Sequence, residues 1–264
     1  MTVRHLLEMK RRGEKIVALT AYDFLFARIV DACGIDIILV GDSLGQVVAG
    51  HDTTLPVTLD DMIYHARAVR RAVRHGLIVV DMPFLSFHIS PEDTVRNAGR
   101  VLKETGAEAV KIEGGHEEAA RHVRALTLAG IAVMGHIGLT PQSVHAIGGY
   151  RVQGREEDSA ARLLADAARL EAAGAFAMVL ELLPAALAGR VTQAVSIPTI
   201  GIGAGPETDG QVLVLYDVLG LNETFKPKFL QRFANLADAA RDGIKAYAEA
   251  VRSGRYPDAA HSFE

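Results

Sequence analysis

The sequence predicts an α/β protein folded as a (β/α)8 barrel, and three observations carry that expectation. Short β-rich runs bounded by Gly, Pro or Thr recur eight times along the 264 residues, amphipathic helical stretches separate most of them, and no Pro-, Ser- or charge-rich linker divides the chain. Alternating strands and helices demand a parallel sheet, and eight such units in roughly 250 residues match one barrel. The competing architecture is a doubly wound open sheet, which prefers a glycine-rich phosphate loop after its first strand. ALTAYDF (18–24) has no glycine there, and the later GIGAG lacks the G-x-G-x-x-G spacing. The barrel is the better fit, as a single domain over residues 1–264.

The elements follow in order. Residues 1–15 read as a helical addition ahead of the first strand, IVALT (16–20), and YDFLFARIVDACG supplies the next helix. IDIILVG (35–41) is the second strand, and LDDMIYHARAVRRAVRHG leads to the third, LIVVDMP (77–83). SPEDTVRNAGRVLKETG has the marks of a well-defined helix: Ser90 as N-cap, Pro91 at the first helical position, acids in the first turn and Gly106 as the stop. AVKIEG (109–114) is the fourth strand and IAVMGHIG (131–138) the fifth, joined by HEEAARHVRALTLAG. DSAARLLADAARLEAAG carries one apolar stripe and one solvated face. AFAMVLELL (175–183), IPTIGIGAG (197–205) and VLVLYD (212–217) complete the eight, and residues 226–264 read as a second helical addition.

Composition excludes several function classes. A formal charge of −4 with no basic stripe gives no footprint for nucleic acid or an anionic membrane. Cys33 is the only cysteine, so an intrachain disulfide and a thiolate cluster are impossible, and it is expected to be a small core residue. The N-terminus lacks a secretory pattern, and the longest apolar stretch, AAGAFAMVLELLPAALAG, is interrupted by Glu181 and Pro184. The expectation is a cytoplasmic protein without a membrane span.

In such a barrel the chemistry sits at the C-terminal ends of the strands. Five consecutive predicted strands end on ionisable groups: Asp42 beside Ser43, Asp81, Lys111 with Glu113, His136, and Glu181. Each alone has a bland reading. An acid after a strand is often a cap, Ser43 can be a simple cap, His136 a hydrogen-bonded core histidine, and Lys111 merely the counter-ion of Glu113. Their common level in the fold is what singles them out, because a packed mouth would not otherwise gather so many desolvated charges. Carboxylates without cysteine suit a hard cation such as Mg²⁺ better than zinc. Asp42 and Asp81 are the candidate ligands, with Glu113 a third, direct or through water. Lys111 shares a strand face with Glu113 and can neutralise a substrate carboxylate, while Glu181 is free to move a proton. A cation, a lysine and a mobile acid together describe enolate chemistry on a 2-oxo acid.

The runs TAYD (20–23), LVGDSLG (39–45), GHDTTLPVT (50–58), VKIEGG (110–115), GHIGLTPQSV (135–144), GGYRVQGR (148–155), VLELLP (179–184) and GIGAG resemble the ketopantoate hydroxymethyltransferases from about residue 2 to the final HSFE. The resemblance implies a barrel of the phosphoenolpyruvate/pyruvate type, usually a homodecamer. It implies transfer of the one-carbon unit of 5,10-methylenetetrahydrofolate, with water, to 3-methyl-2-oxobutanoate, giving 2-dehydropantoate and tetrahydrofolate in pantothenate biosynthesis. It puts Asp42, Asp81 and Glu113 at a Mg²⁺ site, Asp42, Ser43, Asp81 and Lys111 against the oxo acid, and Glu181 as proton acceptor, with His136 in support. FLSFHISPED (84–93) is longer than the family pattern and carries an unusual His88. Two other readings stay open at this point: a Schiff-base aldolase using Lys111 or another 2-oxo acid lyase of the same barrel type, and a non-catalytic metabolite-binding barrel.

Overall fold

The computed structural model describes residues 1–263. Eight parallel strands close into a barrel in sequential order, β1 (Ile16–Thr20), β2 (Ile37–Val40), β3 (Leu77–Asp81), β4 (Ala109–Glu113), β5 (Ala132–Gly138), β6 (Ala177–Glu181), β7 (Thr199–Ile202) and β8 (Gly210–Leu213), with β8 pairing back onto β1. The barrel and its helices form one compact unit, Met1–Val214, and a second unit begins at Leu215.

The helices of the first unit are α1 (Val3–Arg12), α2 (Phe24–Ala32), the single turn α3 (Leu44–Val47), α4 (Leu59–Ala72), α5 (Pro91–Thr105), α6 (Glu117–Leu128), the short α7 (Val144–Ile147), α8 (Glu157–Ala172) and α9 (Ala185–Ala194). Their ends are set by local chemistry. Ser90 Oγ accepts from the Asp93 N–H and Gly106 stops α5 in the left-handed region (φ 76°), as its sequence predicts. Thr58 and Asp61 make a reciprocal capping box at the start of α4. The second unit contains α10 (Leu215–Val218) and α11 (Leu236–Arg252), and within it Arg232 Nη2 ties down the carbonyls of Asn222, Glu223 and Phe225.

Alternate residues of each strand fill the barrel: Ile16 and Ala18, Ile37 and Leu39, Leu77 and Val79, Ala109, Met134, Ala177 and Val179, Ile200 and Val212. Val3, Leu6 and Met9 of α1 pack against this cluster, whose members include the first residues of five strands. The N-terminal end of the barrel is therefore plugged with hydrocarbon, and chemistry is left to the other end.

Two expectations need correction. The eighth strand is Gly210–Leu213, not 212–217, because Leu215–Val218 turns into α10. The apolar run VLVLYD spans a strand end and a helical turn, and hydropathy cannot tell these apart over so few residues. Cys33 is not a core residue: it is exposed at the C-cap of α2, beyond the buried Ala27 and Val30. Among the described residues, no helix is long and apolar enough to cross a membrane.

Candidate active site

The two-residue period that builds the core also builds the site. Continuing the inward-facing series Leu77, Val79 reaches Asp81. Ala109 leads to Lys111 and Glu113, Met134 to His136, and Val179 to Glu181. Strand register then sets neighbours: Asp81 lies opposite Lys111, Glu113 opposite His136, and Gly138 opposite Glu181. Asp42 arrives from the turn after β2, with its N–H donated to Asp81 Oδ2 at 3.1 Å. Two glycines make room. A Cβ at Gly41 would lie 2.7 Å from Ser43 Oγ, and one at Gly138 (φ 97°) would lie 2.2 Å from the Glu181 carbonyl oxygen.

The side chains converge around one ammonium. Lys111 Nζ lies 2.7 Å from Asp81 Oδ1, 3.1 Å from His136 Nδ1 and 4.0 Å from Glu113 Oε1. His136 Nε2 faces Glu181 Oε2 at 3.3 Å, close but not aligned as a hydrogen bond. Asp42, Asp81, Lys111, Glu113 and His136 are all buried, and the Glu181 side chain is 17% exposed. Every predicted ionisable group of strands two to six is thus in one connected cluster.

Burial and like charge dominate its electrostatics. Burial, and then the charge of Asp81, push the Asp42 carboxyl up to about 7 against the opposing pull of Lys111. Burial, with Asp42 and Asp81 beside it, holds Glu113 well above the carboxylate range despite Lys111. Lys111 is desolvated too, yet Asp81, Glu113 and Asp42 outweigh that cost and hold its ammonium above the ordinary lysine value. Burial and the neighbouring Lys111 charge keep His136 neutral. An ammonium donating to Nδ1 leaves the imidazole proton on Nε2, the atom facing Glu181. Glu181 rises to about 7, mainly through burial.

Three buried carboxyls crowd one lysine, and burial and like charge make it costly to ionise Asp42 and Glu113 there, a cost that a divalent cation would offset. Among the described residues no three His, Cys, Asp or Glu side chains converge tightly enough to hold an ion by themselves. Mg²⁺ takes one or two carboxylates and fills its sphere with water and substrate oxygens. Asp42 and Asp81 are the residues able to hold it, and the buried Asp81 Oδ1, held by charge alone, fits a place where a cation adds what the chain does not.

Ser43 does not cap α3 with its side chain; its Oγ shares a 2.8 Å hydrogen bond with the hydroxyl of buried Tyr22. Sequence reasoning missed Tyr22, and it missed Gln142, whose amide reaches Asp42 Oδ2 and whose N–H reaches Glu113 Oε2. Both sit inside the ordered runs TAYD and GHIGLTPQSV, so the signal was a polar residue within a motif rather than at a strand end. His88 lies outside the cluster. On the loop after β3 its ring packs against Phe84 and Phe87, and Nδ1 accepts from the Leu85 N–H.

Comparison with known proteins agrees with both the fold and the motifs. Barrel structures with low sequence identity share the architecture: a phosphonopyruvate hydrolase in complex with oxalate and Mg²⁺ superposes with a TM-score of 0.62 at 16% identity, covering 100% of this chain and 92% of that one. A 2,3-dimethylmalate lyase of the PEP mutase/isocitrate lyase superfamily gives 0.58 at 18%, covering 96% and 89%. Much nearer in sequence is the 3-methyl-2-oxobutanoate hydroxymethyltransferase of Pelobacter propionicus, 55% identical over 263 residues, 100% of this chain and 97% of that protein. The protein of the same name from Geobacter sulfurreducens is 55% identical over 262 residues, 99% and 98% of the two chains. The profile described as ketopantoate hydroxymethyltransferase matches residues 1–259, and the chain belongs to that family.

Proposed function

We propose that the chain transfers a hydroxymethyl group from 5,10-methylenetetrahydrofolate to 3-methyl-2-oxobutanoate, giving 2-dehydropantoate and tetrahydrofolate in pantothenate biosynthesis. Full-length identity of 55% to relatives named for that activity supports the reaction. The observation that carries the mechanism is the joining of Asp42, Asp81, Lys111, Glu113, His136 and Glu181 at the ends of consecutive strands.

Asp42 and Asp81 would hold Mg²⁺, with Glu113 as a third holder directly or through water, and the bound ion would draw electron density from the 2-oxo group and acidify the neighbouring C–H. Lys111, kept charged by its carboxylates, receives the carboxylate of the oxo acid. Ser43, oriented by Tyr22, offers a hydroxyl to the same substrate. Glu181 takes the proton from C3 of the oxo acid. The electron pair of that C–H bond forms the new C–C bond to the one-carbon unit and water forms its C–O bond, while the two C–N bonds that held the carbon to the folate break and the two nitrogens take up the proton from C3 and one from water as tetrahydrofolate departs. A carboxyl near 7 is matched to this task, since it is basic enough to accept a proton and still largely ionised in mildly alkaline solution. The Nε2 proton of His136 steadies the carboxylate form of Glu181.

The Schiff-base reading is disfavoured because a nucleophilic lysine must shed its proton, and Lys111 is held charged by its carboxylate neighbours. A cytoplasmic setting and self-association, as the decamer the resemblance implies, belong to this same proposal, as does the reading of the second unit as an addition to one barrel. The test is 2-dehydropantoate formation from the two substrates, before and after chelation and after Mg²⁺ is restored. Activity should vanish in chelator and return with the ion. Full turnover in chelator would refute the metal role, and no product under any condition would refute the reaction.

A further inference from the structure

Gln142 ties together acids that arrive from different strands. It is 5% exposed and lies in the single 3₁₀ turn Pro141–Ser143 that follows β5. Its side-chain Nε2 donates to Asp42 Oδ2 at 2.8 Å and to the Met82 carbonyl at 2.9 Å, which uses both amide hydrogens and fixes which way the amide points. Its main-chain N–H donates to Glu113 Oε2 at 3.0 Å. Pro141, just before it, has no N–H to compete. One residue of the β5 loop therefore grips the ends of β2, β3 and β4. Its remaining polar atom, Oε1, is buried and takes no hydrogen bond from the chain.

A neutral amide suits this place better than a cation would. Lysine or arginine would also orient Asp42, but would cancel the charge a metal ion needs. The amide fixes the carboxylate and leaves its charge in place. Asp42 and Asp81 repel one another, so without that grip Asp42 would turn away from its neighbour. With Oδ2 held by Gln142 and Thr54 also beside the carboxyl, Asp42 is fixed in one orientation at the site.

We propose that Gln142 is the positioning residue of the cation site, its amide fixing Asp42 and its main-chain N–H fixing Glu113, so that both carboxylates meet Mg²⁺ already oriented. This rests on the Mg²⁺ reading given above. The test is calorimetric titration of MgCl₂ into the full-length wild type and Gln142→Met, without oxo acid. Methionine keeps the volume and removes the donors, and the variant should bind Mg²⁺ roughly tenfold or more weakly. Its turnover should recover substantially when Mg²⁺ is raised in proportion, a rescue that a merely packing role would not show. Wild-type affinity in the Met variant would overturn the proposal while leaving the Mg²⁺ reading intact. Absence of Mg²⁺ binding by the wild type would overturn both. If Gln142→Met does not fold, Gln142→Asn keeps the amide but shortens its reach, and undiminished Mg²⁺ affinity there would overturn the proposal equally.

Discussion

The barrel holds a lysine–aspartate pair near each end, and the two are built differently. Near the N-terminal end Lys10 Nζ lies 2.9 Å from Asp209 Oδ2 and donates also to the carbonyls of Thr192 at 3.0 Å and Ile197 at 2.9 Å. Three acceptors meet the three donors of an ammonium. Asp209 Oδ2 accepts further from the Thr199 N–H and hydroxyl. At the C-terminal end Lys111 is closer to Asp81 and more deeply buried, yet around it stand two further carboxylates, a neutral imidazole, and buried polar atoms of Asp81, His136 and Gln142 without an aligned partner. The first pair is complete within the chain and serves stability. The second is incomplete, and the desolvated groups that make it costly are what suit it to the cation and anionic substrate proposed above.

Substitutions should separate the two ends. Lys111→Met leaves Asp81 buried without its counter-charge and should cost about 3–5 kcal/mol in denaturant unfolding at pH 8 without Mg²⁺. A cost near zero would mean that the Lys111 charge does not hold this cluster together. A smaller effect belongs to Glu181, whose carboxyl is raised by burial to about 7. A raised acid binds more protons in the folded state than in the unfolded, so stability falls as pH climbs from the ordinary carboxylate value through 7, by up to about 3 kcal/mol. Glu181→Gln should remove that part of the decline, as read from Tm between pH 4 and 8, while abolishing solvent-deuterium exchange at C3 of the oxo acid. A variant that keeps the exchange would strike Glu181 out as the base. Smallest is Lys10→Met, expected to cost about 2 kcal/mol through lost charge-assisted hydrogen bonds. Its kcat and KM should stay at wild-type values. A change in either would show that the two ends are coupled.

Much of the site was readable because strands obey a period of two. Asp81, Lys111, Glu113, His136 and Glu181 each fall on the inward parity of a run whose apolar members are core, so their common level followed once the strand ends were placed. Gln142 and Tyr22 lie beyond the strand ends, on the loops after β5 and β1, where the two-residue period no longer holds and nothing announces which loop residue turns inward. The helix carrying Cys33 was expected in its place, but the exposure of Cys33 depended on which face of α2 packs inward, and the last turn before Gly34 carries too few residues to decide it. The eighth strand shifted because Val212 to Tyr216 are apolar whether they pair in a sheet or wind into a helix.

By itself the sequence determined the eight-fold alternation of strand and helix, the helix stops, the strand-end acids and the kinship its long motifs carry, since all of these are local or ordered along the chain. Only the tertiary structure decided that Asp81 faces Lys111, that His136 stands between Lys111 and Glu181, and that Gln142 clasps acids from two other strands. Those relations depend on the registers and closure of the barrel, which bring residues far apart in sequence to within hydrogen-bond distance and which no local pattern encodes.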